Sequence, residues 1–144
     1  MSTSEYLFKF TVPNYHFFLP AESEHFIKMK FRSLEPFIPS GPDLAASKQL
    51  FQELGFTINW DAGDYIGYVG GECRFILQKM DDERFANNFM LNVRVDDVAA
   101  FRNMLLEKKL IERFGIRIGQ VTRQPYGKEV NVIDMAGVCW HFVE

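Results

Sequence analysis

Apolar and polar positions change period several times along the chain, and the changes mark its elements. Tyr6, Phe8, Phe10 and Val12 alternate with Leu7, Lys9 and Thr11, and Ile27, Met29 and Phe31 alternate with Lys28, Lys30 and Arg32. A period of two predicts strands with one buried face. Pro13-Asn14 and Pro20-Ala21-Glu22 lie between the two runs and read as turns. From Leu34 a larger unit begins. A short extended segment, Leu34 to Pro39, carries Pro36 and Pro39, which suits an edge or crossing strand. Asp43 is placed to accept from the free amides of a helix that contains Leu50, Phe51 and Leu54, with Gly55 after its end. Phe56 to Trp60, Tyr65 to Val69 and Cys73 to Leu77 then predict three strands, joined by turns at Asp61-Ala62-Gly63-Asp64 and Gly70-Gly71.

The same order returns. Asp43-Leu44-Ala45-Ala46 recurs as Asp97-Val98-Ala99-Ala100, again after an extended run, Phe89 to Val95, and again before a helical pattern. Self-similarity of this kind defines an architecture before any single element does. Asp96 or Asp97 caps the second helix, predicted to continue to about Lys109, with Lys108 and Lys109 at its negative pole. Ile116 to Thr122, Lys128 to Asp134 and Val138 to Val143 predict three more strands. The chain thus reads as an α+β fold of paired βαβββ modules forming a curved mixed sheet with a cleft. Module 1 spans about 34–80 and module 2 about 89–144, with the polar run Asp81 to Asn88 as the bridge. Residues 1–33 form an N-terminal extension, either a hairpin on the edge of the main domain or an arm reaching a partner's sheet. Met29 is an alternative natural start.

Composition narrows the function. A net charge of −3 over 144 residues argues against a nucleic-acid surface and permits a cationic ligand. Fifteen phenylalanines point to aromatic packing or an aromatic pocket. Cys73 and Cys139 lie in apolar strand-like runs and read as reduced thiols of a cytoplasmic protein. No run is long and apolar enough for a transmembrane helix, and the N-terminus lacks the pattern of a signal peptide. Gly67, Gly70 and Gly71 precede no helix, so they are turn glycines and not a phosphate loop.

Three segments carry a family resemblance. They are Phe37-Ile38-Pro39 with Asp43-Leu44 and Leu54-Gly55-Phe56; Val93 to Val98; and Gln124-Pro125-Tyr126-Gly127-Lys128-Glu129 leading into Asp134-Met135-Ala136-Gly137-Val138-Cys139-Trp140-His141-Phe142-Val143. Over residues 34–144 the chain resembles the vicinal-oxygen-chelate superfamily of glyoxalase I, extradiol dioxygenases and bleomycin-resistance proteins. The last segment is similar to the bleomycin-resistance branch, with Met135 in place of proline and Val138 in place of asparagine. That branch implies a homodimer that sequesters a planar, cationic antibiotic in grooves at the subunit interface, on stacked aromatic rings and without a metal. The matching positions are Trp60, Tyr65 and Tyr126, the last replacing tryptophan, with Asp61 and Asp64 adding negative charge. They are equally readable as ordinary strand aromatics packing a sheet or dimer seam. Tyr68, Phe89 and Trp140 read as core or cavity wall.

The superfamily also implies an alternative, a lyase, isomerase or dioxygenase using a divalent ion such as Ni, Zn, Mn or Fe. By register with the repeat, the ligand positions fall near Glu35 or Pro36, Ile76, Met90 and His141. Only Glu35 and His141 have suitable side chains, which is a weak octahedral set. His141 otherwise lines a cavity or an interface. His16 and His25 lie in the extension. Cys139 and His141 share a strand face, but about 7 Å of strand separates them, and no direct thiol–imidazole pair is expected.

Overall fold

The computed structural model describes residues 29–144, and Arg32–Glu144 form one compact unit. The strands read from Tyr6–Val12, and His16 and His25, lie outside the described residues. Asp43 caps helix α1 (Leu44–Glu53) by accepting from the Ala46 amide at 2.9 Å. Gly55 follows at φ +106°, a conformation that disfavours any residue with a Cβ. Around α1 stand β1 (Phe37–Pro39), β2 (Thr57–Asp61), β3 (Tyr65–Gly70) and β4 (Cys73–Gln78). Their order in the sheet is β1-β4-β3-β2, so proline-bearing β1 is an edge strand, parallel to β4.

The second module repeats this arrangement. Asp97 caps α3 (Val98–Glu107) by accepting from Ala100 at 2.8 Å. The sheet runs β5 (Met90–Arg94), β9 (Cys139–Val143), β8 (Gly127–Ile133), with β6 (Arg117–Ile118) and β7 (Thr122–Gln124) both on the far side of β8. Strands 5 and 9 are parallel, as strands 1 and 4 are. The single strand expected over Ile116–Thr122 is therefore broken into two pieces, and each module contributes its own sheet to the α+β fold.

Two helices are additional. Asp82 caps a single turn, α2 (Glu83–Ala86), within the bridge. The second long helix stops at Glu107, short of the expected Lys109. Lys109 adopts φ +55°, which an L-residue pays for sterically, and the chain restarts as α4 (Leu110–Phe114). Lys108 does not serve its own helix pole. Its Nζ donates to the Glu53 carbonyl at 2.8 Å, at the end of α1, and Arg113 binds Glu53 Oε1 at 2.6 Å. These contacts tie the end of one module's helix to the other module.

The helix-facing sides of the two sheets meet in one aromatic core. Phe51 of α1 lies 5.0 Å from Phe75 and 5.3 Å from Trp140, and Tyr68 stacks on Phe75 at 5.0 Å. Tyr68 and Trp140 are core residues, as their pattern suggested, and Phe89 packs against the same cluster. Asp134 anchors the β8–β9 turn. Its Oδ1 accepts from the amides of Ala136, Gly137 and Val138, and its Oδ2 from Trp140 Nε1. Among the described residues no helix is long and apolar enough to cross a membrane.

Candidate functional site

With the helix-facing sides filled, the opposite face of each sheet is open. On the first sheet, Ile66 and Tyr68 point to the core, so Tyr65, Gly67 and Val69 lie on the open face. Trp60 joins them through a bulge. Ile58 pairs with Tyr68, but Trp60 pairs with Gly67, so two steps on β2 match one on β3. A regular strand would place Ile58 and Trp60 on the same side. The bulge at Asn59 sends Ile58 to the core and Trp60 outward. The indole lies across Gly67 so closely that a Cβ there would come 2.1 Å from Nε1. Phe37 of β1 completes the row, edge-on to Tyr65 at 6.1 Å. Trp60, Tyr65 and Phe37 are 38%, 42% and 51% exposed, which is high for large rings on a sheet. The sequence reading missed Phe37 as a site residue, although it stands in the first motif segment.

The two aspartates behave differently from expectation. Asp61 pairs with Ile66, on the helix side, and binds Lys48 of α1, whose ammonium holds its carboxyl below the usual range. Its charge is compensated and directed away from the rings. Asp64 lies 3.7 Å from Lys79, both largely exposed, so its field is screened as well.

The second sheet carries a polar open face. Trp140 and Phe142 point inward, so Cys139 and His141 point outward, with Asn92 of β5 and Asn131 of β8 opposite His141. Glu129, only 5% exposed, is the centre of this face. Tyr126 Oη donates to Glu129 Oε2 at 2.8 Å and Gln124 Nε2 to Oε1 at 3.3 Å. Accepting charge beside the phenol pushes the Tyr126 hydroxyl up. His141 Nδ1 stands 3.6 Å from the same Oε2, and its Nε2 stands 3.4 Å from Cys139 Sγ. The thiol and the imidazole therefore meet, against the separation expected from strand spacing. Backbone spacing sets where the Cβ atoms are, whereas an imidazole reaching along the strand closes most of the gap. Glu129 was present in the quoted turn motif, but a lone glutamate on a strand gives no signal until the turn folds Tyr126 and Gln124 over it.

The six expected site residues are thus distributed. Trp60 and Tyr65 share the first sheet's open face, Tyr126 and His141 the second's, and Asp61 and Asp64 flank the first. A cavity of about 230 Å³ lies where the modules meet, lined by Phe56, Cys73, Phe75, Leu91, Val93 and Trp140 among others. None of the six borders it. A metal site from Glu35 and His141 does not fit either. Glu35 accepts from Ser33 at 2.8 Å just before the first sheet, and both ring nitrogens of His141 face neighbours on the second. Among the described residues no three His, Cys, Asp or Glu side chains are placed to hold a metal.

Comparison with known proteins assigns the fold. No family model and no curated protein matches the chain. Among solved structures it is similar to the bleomycin-binding protein of bleomycin-producing Streptomyces verticillus complexed with copper(II)-bleomycin. The identity is 23% over 80% of this chain and 97% of that one, with a TM-score of 0.63. It is also similar to the bleomycin resistance determinant encoded on transposon Tn5, at 20% identity over 79% and 98% of the two chains and a TM-score of 0.65. A third is TnmS3, an antibiotic-binding protein from Streptomyces sp. CB03234, at 17% over 80% and 97%, with a TM-score of 0.60. The chain has the glyoxalase/bleomycin-resistance-type fold of these structures.

Proposed function

We propose that this fold serves here as a small-molecule trap: a protein that sequesters a flat aromatic, cationic ligand, without a metal of its own, in a groove completed by a second copy of the chain. The observation that carries this reading is the Trp60 indole, laid flat over Gly67 and open to solvent on a face it shares with Tyr65 and Phe37. A stacked or cation–π contact contributes about 0.5–2 kcal/mol, so several rings converging on one ligand are needed for useful affinity. One sheet offers three. Tyr126, 53% exposed on the other sheet, is the fourth. A groove with rings on both walls forms if the first sheet of one protomer faces the second sheet of its partner. Dimerisation also covers apolar side chains that one chain leaves exposed. The net charge of −3 suits a cationic ligand. That similar folds are found in complex with bleomycin supports an antibiotic of this kind.

The test is a titration with copper-free and copper-loaded bleomycin, following tryptophan emission and, in parallel, molecular mass by light scattering. Trp140 is buried, so a ligand in the groove quenches Trp60 selectively and Trp60→Phe removes the response. A monomer at micromolar protein, or no quenching at micromolar bleomycin, overturns the antibiotic reading. No observation favours the metal-dependent enzyme, since its two candidate ligands do not share a site.

A further inference from the structure

Cys139, His141 and Glu129 stand in a line on the open face of the second sheet. Sγ is 3.4 Å from His141 Nε2, and His141 Nδ1 is 3.6 Å from Glu129 Oε2, an ion-pair distance. An activated nucleophile needs this order: a thiol, a base within reach of its proton, and a third group that orients the base. Glu129 is buried and is held in turn by Tyr126 and Gln124, so its position is set by the fold and not by His141. Cys139 and His141 are both partly exposed. Beside them, Asn131 has a buried side-chain oxygen with no partner, directly across the ladder from His141. An orphaned acceptor next to a thiol–imidazole pair asks for a donor that the chain does not supply.

We infer that Cys139 is a base-assisted nucleophile that adds to small α,β-unsaturated carbonyl compounds, with His141 as the base and Glu129 as its positioning residue. The inference is independent of the ligand proposed for the groove. The S–H proton passes to His141 Nε2 as sulfur bonds to the β-carbon. The π pair moves to the carbonyl oxygen as an enolate, and the enolate carbon takes the proton back from Nε2. The sum is addition of S–H across the double bond, with no oxidant or second reactant. Burial, then the charges of Glu129 and Asp134, push the Cys139 thiol up, with Arg117 pulling weakly the other way. Strand 5 adds the uncharged Met90 and Asn92 opposite Cys139 and His141, and the cation Arg94 on the same face opposite Val143, whose other neighbour is Glu129. Cys139 therefore rests as the thiol, and the reaction depends on the base. Glu129 supports the imidazolium as it forms.

Acrylamide, a slow Michael acceptor, is the probe, with adducts assigned to each cysteine by mass spectrometry on the native full chain. Cys73, the other free thiol, is also partly exposed and has no imidazole bonded to it among the described residues. We expect Cys139 to react at least tenfold faster than Cys73. Its rate should level off below the thiol range, which lies at about 8.5 for a free cysteine and higher for this one. His141→Gln should lower the rate tenfold or more and return the inflection to the thiol range. Glu129→Gln should move the inflection to lower pH. A cysteine that merely packs there would show none of these changes in pH profile. A wild-type profile that follows the thiol range overturns the inference without recourse to any variant, as does a Cys139 rate no greater than that of Cys73.

Discussion

The Trp60 indole rests on Gly67, its cross-strand partner, with room for a hydrogen but not for a methyl group. The ring's orientation therefore depends on a residue that contributes no side chain. Gly67→Ala should lift the indole off the sheet, shift its emission to longer wavelength and weaken binding of a flat ligand. The stability cost should be about 1 kcal/mol, the low end for overpacking, because the ring is at the surface. Fluorescence spectra and urea midpoints of the two proteins check both parts.

Asp134 should be the costliest polar position to lose. Asp134→Ala leaves the Ala136 and Val138 amides and the Trp140 Nε1–H without their acceptor, while the Gly137 amide keeps the Asp134 carbonyl at 3.1 Å. The expected loss is about 3 kcal/mol or more, given about 1–3 kcal/mol for each buried donor left unsatisfied. Asp134→Asn retains an oxygen for the amides but turns an NH₂ toward Trp140, so it should fall between. Chemical denaturation with the slope held common ranks the three.

The repeated caps should have equal weight. Asp43→Ala and Asp97→Ala each remove one acceptor from an otherwise free amide, at a cost of about 1 kcal/mol. The helices they start belong to different modules, so the two losses should add in the double variant. Thermal melts of the single and double variants measure this.

Acid should destabilise the fold through its depressed carboxylates. Arg113, then Lys108, hold the Glu53 carboxyl below the usual range, and Lys128 with the Val98 amide does the same for Glu144. A folded-state value below the unfolded one stabilises above the unfolded value of about 4.3, and this contribution is lost as pH falls through the depressed value. Asp134 has the opposite sign. Burial raises its carboxyl, so its ionised form costs stability that protonation relieves. Stability should stay level above about pH 5 and fall below about pH 4. Glu53→Gln should be less stable than wild type at pH 7 and approach it as pH falls through the depressed Glu53 value. Urea midpoints across that range are the measurement.

Both open faces were only partly legible. The resemblance pointed to Trp60, Tyr65 and Tyr126, but the Asn59 bulge reverses the side on which Trp60 would otherwise fall, and nothing in the pattern marks it. Asp61 looked like site charge because it adjoins Trp60 in sequence, yet its cross-strand partner is Ile66, and it turns to Lys48. Lys109 was read as a helix end with a cation. The left-handed turn that starts α4 there was invisible, because lysine has no preference for it.

What the sequence determined by itself is the duplicated βαβββ order, the two aspartate caps, the prolines on the edge strand and the inward Trp140. These depend on local propensity and on a period of two or 3.6, which neighbouring residues impose on one another. Only the tertiary structure decided that Trp60 lies over Gly67, that Lys108 closes the other module's helix, and that Cys139, His141, Glu129 and Tyr126 form one connected group. Those contacts join strands and turns through side-chain reach and register, and a register is set only when two chain segments meet.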